Sequence, residues 1–318
     1  MPRKPNLFVI GAMKSGTTSL YRYLADHPAI YMSPVKEPMH FSREQNWSRG
    51  HEHYLQLFVE ANDEVYVGEG STEYTKRPFR EGVARRLHEF NSSSRLIYIM
   101  RDPFDRLVSQ YRHQVRMGRQ SGSLREALQQ PSDYLTNSYY AYQLRPYLQL
   151  FGRDAVYTDT FESLKVSPDR FFKRLLKWLR IDDSFVPSSV GKPFHVSPST
   201  IEVFDERSTR VKFSKYLKRF SIVDLLTPPI FRKWYKVLAP KDVVLNVKSA
   251  EFRREVDKTR QILQPVLCEW VHELTEITGN SYQMWSTVNA SLDSVDLTST
   301  ESIFWLPEEV KTVQGKST

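Results

Sequence analysis

Lys14 lies two residues before Gly16, and Ser15, Thr17, Thr18 and Ser19 crowd hydroxyls around that glycine in LFVIGAMKSGTTSLYRYL, residues 7–24. A glycine-containing loop that runs into a helix presents free backbone N–H groups and the positive end of the helix dipole. With a lysine inside the loop, the arrangement suits a phosphate or a sulfate. It departs from the NTPase loop GxxxxGK[ST]. Gly11 and Gly16 keep the separation, but Thr17 stands where the lysine belongs. A second cluster, IYIMRDPFDRLVSQYRHQ over residues 97–114, supplies Arg101, Arg106 and Ser109. An arginine at a strand end can fork onto a phosphate, and a serine hydroxyl on the next helix adds a donor. A helix starting near Pro103 puts Ser109 and His113 on one face at i,i+4 spacing. Together the two clusters imply a ligand with phosphates at two separate positions.

Both clusters lie just beyond apolar runs that read as buried strands. Residues 7–10 form the first, ended by Gly11, and a helix begins near Thr17 or Thr18. Residues 52–61 read as a second helix, and residues 64–74 as a short strand running into a loop at 68–71. A helix over 81–91 precedes a strand over 95–100, which stops at Pro103. Helical spacing resumes over 105–118. Residues 154–164 give another strand and turn, and residues 168–181 an amphipathic helix with proline in its first turn. The Pro/Ser-rich stretch 182–199 reads as a loop. Residues 250–279 read as a long helical segment broken or capped near Pro265. After Trp285 the chain is Ser/Thr-rich and reads as loosely packed, with IFWLP as a segment that could dock. Strands alternating with helices predict an α/β, P-loop-like three-layer fold with a central, mostly parallel sheet flanked by helices. Such a sheet binds its ligands at the carboxyl ends of its strands, where both clusters fall.

Composition narrows the classes. The 318 residues are 40% apolar and 26% charged, which suits a soluble globular protein with a sizeable core. The single cysteine, Cys268, excludes an intrachain disulfide framework and a cysteine-based metal cluster, and suits a reducing compartment. Lys plus Arg number 45 against 37 Asp plus Glu, a formal charge of +8 that fits anionic ligands. No zinc-finger spacing or long basic block points to nucleic acid. No apolar run reaches membrane-spanning length, and no secretory signal pattern opens the chain. The expected location is cytoplasmic, or that of an unanchored soluble form if an anchor precedes residue 1.

The two anion clusters resemble those of the sulfotransferases that use 3'-phosphoadenosine 5'-phosphosulfate. GAMKSGTTSL is similar to their 5'-phosphosulfate loop, and RDPFDRLVSQYRH to their 3'-phosphate element. SPVKEPMHF, residues 33–41, resembles the lysine-glutamate-proline segment of the carbohydrate-sulfating, heparan-sulfate-type branch and its bacterial relatives. YVGEGSTEY, residues 66–74, resembles the stretch read as carrying that branch's catalytic glutamate, which falls on Glu69. The likeness covers roughly residues 5–285, a single sulfotransferase-like domain over 1–285 with a C-terminal extension over 286–318.

The resemblance implies transfer of a sulfuryl group to an acceptor hydroxyl or amine on a carbohydrate or small molecule, with no metal. Lys14, with the N–H groups and hydroxyls of Ser15, Gly16, Thr17, Thr18 and Ser19, would stabilise the leaving phosphate, and Lys36 is a second candidate cation. Arg101 and Ser109 would hold the 3'-phosphate, and Lys192 of GKPFH would approach the nucleotide. Glu69, between two glycines, would take the acceptor proton. The small-molecule branch places a histidine shortly before the 3'-phosphate element; residues 90–103 contain none. His40, His51, His53, Tyr54 and His113 are candidates for acceptor contacts. Two other classes remain open: a P-loop kinase or NTPase, disfavoured by Thr17, and a non-catalytic nucleotide-binding or scaffold protein. The acceptor's identity and the oligomeric state are not encoded in any motif.

Overall fold

The computed structural model describes residues 2–188, 190, 200–203, 243–246, 249–289, 304–307 and 310. Five strands form the main sheet: β1 (Leu7–Gly11), β2 (Ile30–Met32), β3 (Tyr66–Gly70), β4 (Arg95–Met100) and β5 (Val156–Thr160). Their order is β2-β3-β1-β4-β5, and every neighbouring pair is parallel. Strand β1 is therefore central, with β3 on one side and β4 on the other. A separate antiparallel pair joins β6 (Thr200–Val203) to β7 (Val243–Asn246).

The helices are α1 (Thr17–Ala25), α2 (Glu44–Trp47), α3 (His51–Leu55), α4 (Val83–Phe90), α5 (Pro103–Arg116) and α6 (Leu124–Gln129). They continue with α7 (Tyr140–Phe151), α8 (Phe161–Val166), α9 (Pro168–Leu179), α10 (Ala250–Thr278) and α11 (Ser286–Asn289). All five residues of β1 are buried, and alternate side chains enter opposite layers, as the pleat requires. Leu7 and Val9, with Ile97 and Ile99, pack against Leu20 and Leu24 of α1 and Phe171, Leu175 and Leu179 of α9. Phe8 and Ile10, with Leu96, Tyr98 and Met100, pack on the other face against α4, α5, α7 and α10. These two cores on one parallel sheet make the expected three layers. Among the described residues, no helix is long and apolar enough to cross a membrane.

Several elements differ from expectation. The helix expected over 52–61 is short α3 followed by a 3-10 turn, Gln56–Phe58, that buries Phe58. Strand β3 runs through Gly70, so Glu69 lies within it and not beyond it. Helix α10 continues through Pro265. Leu263, Val266, Leu267 and Trp270 are buried on both sides of the proline, and that packing holds the helix where a backbone bond is lost. Within the extension expected to be loose, the described residues divide: Ser286 and Asn289 are exposed, and others are packed. Thr287 and Val310 have no exposed surface, Phe304 and Leu306 are buried, and the Trp305 N–H bonds the Leu128 carbonyl at 3.0 Å.

Two glycines set the loop after β1. A Cβ on Gly11 would lie 2.3 Å from Thr75 Oγ1 and 2.6 Å from the Tyr98 ring. Gly16 caps α1 with φ 82°, and a Cβ there would lie 2.7 Å from the Phe161 ring. Gly16→Ala is expected to lower stability by about 1–3 kcal/mol, the usual cost of a strained left-handed residue. A denaturant titration checks this; an unchanged midpoint would show that the loop can relax away from Phe161.

Candidate functional site

The loop from residue 12 to 16 joins β1 to α1 and contains a further left-handed residue, Lys14, at φ 72°. Beyond Gly16, the N–H groups of Thr17 and Thr18 belong to the first turn of α1, where no carbonyl of the helix reaches them. Ser15 has no exposed surface, and its hydroxyl has no hydrogen-bond partner among the described residues. The Ser19 N–H returns to the Gly16 carbonyl at 3.0 Å and tightens the turn. The pKa of Lys14 is pushed down to about 8, first by burial and then by Arg116, Arg101, Arg106 and Arg112. A partly buried ammonium among like charges is what an anion would relieve. The orphaned Ser15 hydroxyl fits the same occupant.

Strand β4 delivers Arg101 to the neighbouring position. Its guanidinium keeps 26% of its side-chain exposure, lies 5.2 Å from the Phe161 ring centroid and is 4.0 Å from Asp105. Arg260 binds Asp105 more closely, at 2.6 Å, which leaves Arg101 open to a ligand. Ser109 follows on α5, half-buried. Arg106 plays a different part. It is fully buried and donates to Ser138 Oγ at 2.7 Å, to Gln110 and to the Tyr134 carbonyl, so it holds α5 in place. His113 comes near Lys14. Burial lowers its pKa to about 4, followed by Lys14, Arg116, Arg119 and Lys76, so the ring is neutral at pH 7.

The carboxylates lie on the β3 side. Glu69 has no exposed surface. Its Oε1 accepts from Tyr74 at 2.5 Å and Tyr54 at 3.4 Å, and its Oε2 from Ser71 at 2.9 Å. Burial raises its pKa to about 7 against those hydrogen bonds. Expected to open into a cleft, the carboxylate is instead closed in by three hydroxyls, because it is part of the strand and faces the Phe8 layer. Glu37 is the more accessible acid, with 24% side-chain exposure. It has φ 61°, its N–H bonds the Gly70 carbonyl at 3.0 Å, and its Oε2 accepts the Thr72 N–H at 2.8 Å. Lys36 is ion-paired with it at 2.8 Å. The two acids are linked: Ser71, which donates to Glu69, accepts the Met39 N–H at 3.0 Å and so ties residues 36–39 to β3. Sequence reasoning weighted Lys36 and passed over its neighbour; a left-handed glutamate leaves no compositional signal.

The candidate acceptor contacts divide. His40 is 3% exposed, stacks on Tyr54 at 4.3 Å and meets His51 Nδ1 at 3.0 Å. Burial, then His51 and His53, depresses its pKa to about 4. His40 and Tyr54, 2% exposed, are thus parts of an aromatic cluster with Phe41 and Trp47. His51 and His53 lie exposed on α3. Lys192 lies outside the described residues. Among the described residues, no group of three or more His, Cys, Asp or Glu could hold a metal ion.

Comparison with known proteins places the chain in a family. The model of the sulfotransferase domain family matches residues 4–188. Over 115 residues the chain is 35% identical to the membrane-associated sulfotransferase kil1 of Dictyostelium discoideum, covering 35% of this chain and 23% of that protein. Over 107 residues it is 31% identical to mouse (Mus musculus) heparan sulfate glucosamine 3-O-sulfotransferase 5, covering 34% of this chain and 30% of that one. The chain thus spans less than a third of the length of these curated relatives. The crystal structure of a sulfotransferase from Alicyclobacillus acidocaldarius superimposes with a TM-score of 0.60 at 25% identity, over 89% of this chain and 99% of the other. The family match covers more than half of the chain, including the central strand and the loop of Lys14 and Gly16, so the protein belongs to the sulfotransferase domain family.

Proposed function

We propose that this chain transfers a sulfuryl group from 3'-phosphoadenosine 5'-phosphosulfate to a hydroxyl or amine of an acceptor, with a carbohydrate as the favoured class. The observation that carries the reading is Lys14, half-buried among arginines at the start of α1, with Arg101 open beside it. The sulfotransferase domain and the heparan sulfate enzymes among the relatives support the reaction class and the acceptor class.

The acceptor oxygen or nitrogen attacks sulfur as the bond from sulfur to the 5'-phosphate oxygen breaks. Lys14 and the N–H groups of Gly16, Thr17 and Thr18 take the negative charge that develops on that oxygen. The acceptor proton passes to a carboxylate, for which the accessible Glu37 fits better than the enclosed Glu69. The products are a sulfated acceptor and 3'-phosphoadenosine 5'-phosphate. Glu69 would act through Ser71, holding the loop that carries Glu37.

Calorimetric titration with 3'-phosphoadenosine 5'-phosphate, AMP and Mg²⁺-ATP tests the donor assignment. Tight binding that depends on the 3'-phosphate is expected; preference for Mg²⁺-ATP would favour the kinase reading. Arg101→Ala should weaken the 3'-phosphorylated nucleotide about 10–100-fold, the worth of a charged hydrogen-bonded contact, with little change for AMP. Equal losses for both ligands would remove Arg101 from the 3'-phosphate.

A further inference from the structure

The turn that carries Arg101 is fastened by residues from the far end of the chain. Asp102 is 2% exposed and caps α5, its Oδ1 accepting the N–H groups of Phe104 at 3.0 Å and Asp105 at 3.1 Å. Its Oδ2 accepts the Thr287 N–H and the Ser286 hydroxyl, each at 2.9 Å, and Thr287 Oγ1 lies 3.0 Å from both carboxylate oxygens. The Asp102 N–H goes to Glu162 Oε1 at 3.1 Å, while Glu162 Oε2 accepts from Trp285 Nε1 at 2.9 Å. Tyr140 brackets the Arg101 backbone, accepting its N–H at 3.3 Å and donating to its carbonyl at 2.7 Å. Thr287 is itself pinned, because its carbonyl accepts from Gln264 and Cys268 of α10. Arg260 completes the arrangement by bonding Ser286 Oγ at 2.7 Å and Asp105 at 2.6 Å.

Buried Asp102 thus takes more donors than its cap requires, and half-buried Glu162 is engaged through both oxygens, one of them by Trp285, which also packs in the core. A helix cap needs only the bonds to residues 104 and 105. The additional bonds from Ser286 and Thr287 fasten the residue that directly follows Arg101 at the end of β4. We propose that Thr287, aided by Trp285, is a positioning residue for donor binding: it locks Asp102 so that Arg101 points at the nucleotide's 3'-phosphate. The inference rests on the donor assignment above.

Thr287→Val deletes the hydroxyl and keeps the backbone bond, whereas Thr287→Ser keeps both. In the full chain, Thr287→Val is expected to weaken 3'-phosphoadenosine 5'-phosphate roughly 10-fold, the loss of one hydrogen bond to a charged group, and AMP less than about twofold. Thr287→Ser should restore the wild-type ratio of the two affinities. A folded Thr287→Val protein with the wild-type ratio would overturn the clamp and leave the donor assignment standing. A wild-type protein that ignores the 3'-phosphate would overturn both. If Thr287→Val does not fold, hydrogen exchange on the wild type decides. Added 3'-phosphoadenosine 5'-phosphate should protect residues 285–289 together with 101–106, and protection of 101–106 alone would refute the coupling.

Discussion

Lys14→Ala is expected to lower sulfuryl transfer about 10²–10³-fold, the usual cost of removing one donor from a developing oxyanion. The loss should fall on kcat more than on nucleotide affinity, because charge on the bridging oxygen grows only as its bond to sulfur breaks. Single-turnover rates beside equilibrium titrations separate the two, and near-normal turnover would end the role. The pKa of about 8 gives a second signature. An anion favours the protonated lysine, so nucleotide affinity should be constant below pH 8 and fall as the pH rises through it. Binding above pH 8 should take up a proton. Both effects should be absent from Lys14→Ala. In the folded protein without ligand the sign reverses: the depressed amine costs stability below pH 8, and that cost is relieved as the pH rises toward the unfolded value of 10.5.

The second large effect concerns which carboxylate takes the acceptor's proton. Glu37→Gln is expected to reduce transfer about 10²–10⁴-fold with nucleotide binding intact, the range for a positioned acid or base. Glu69→Gln should stay within about tenfold of wild type, as loss of one charged hydrogen bond through Ser71 would give. The acid's pKa of about 7 makes the test sharp. A base must be ionised, so if Glu69 were the base, wild-type turnover would decline below pH 7 and Glu69→Gln would abolish that limb. Such a limb, surviving in Glu37→Gln and missing from Glu69→Gln, would return the role to the buried glutamate.

The sheet was legible because its central strands are unbroken apolar runs: residues 7–10 and 96–100 are buried on both faces and carry no competing pattern. Strand β2 has only three residues and no such run, so its place at the edge next to β3 emerges only from pairing. The loop we propose for the donor was readable from side-chain type, since lysine, glycine and hydroxyls suit an anion. The proposed base was not. Glu37 and Glu69 are equally carboxylates in the sequence, and what separates them is a left-handed backbone at one and three tertiary hydroxyls on the other. Tyr54 and His40 read as polar contacts for a substrate, yet in the fold their polar atoms face Glu69 and His51. The residues after Trp285 looked like a tail because serine and threonine are common in tails. The same hydroxyls become structural when a buried aspartate needs donors.

The strand order has a consequence for traffic through the site. In the function proposed above, the donor's side chains follow β1 and β4, and the acids lie on β3 and the loop pinned to it, on opposite flanks of one central strand. On that proposal each substrate would reach its half while the other half is occupied, and both would be present before a bond changes. The expected kinetics are sequential, with a ternary complex and no sulfated enzyme between the half-reactions; parallel lines in a double-reciprocal plot would count against the proposal. Spent nucleotide can linger on the β4 flank while one acceptor replaces another on the β3 flank, and such a dead-end pair would appear as inhibition by excess acceptor.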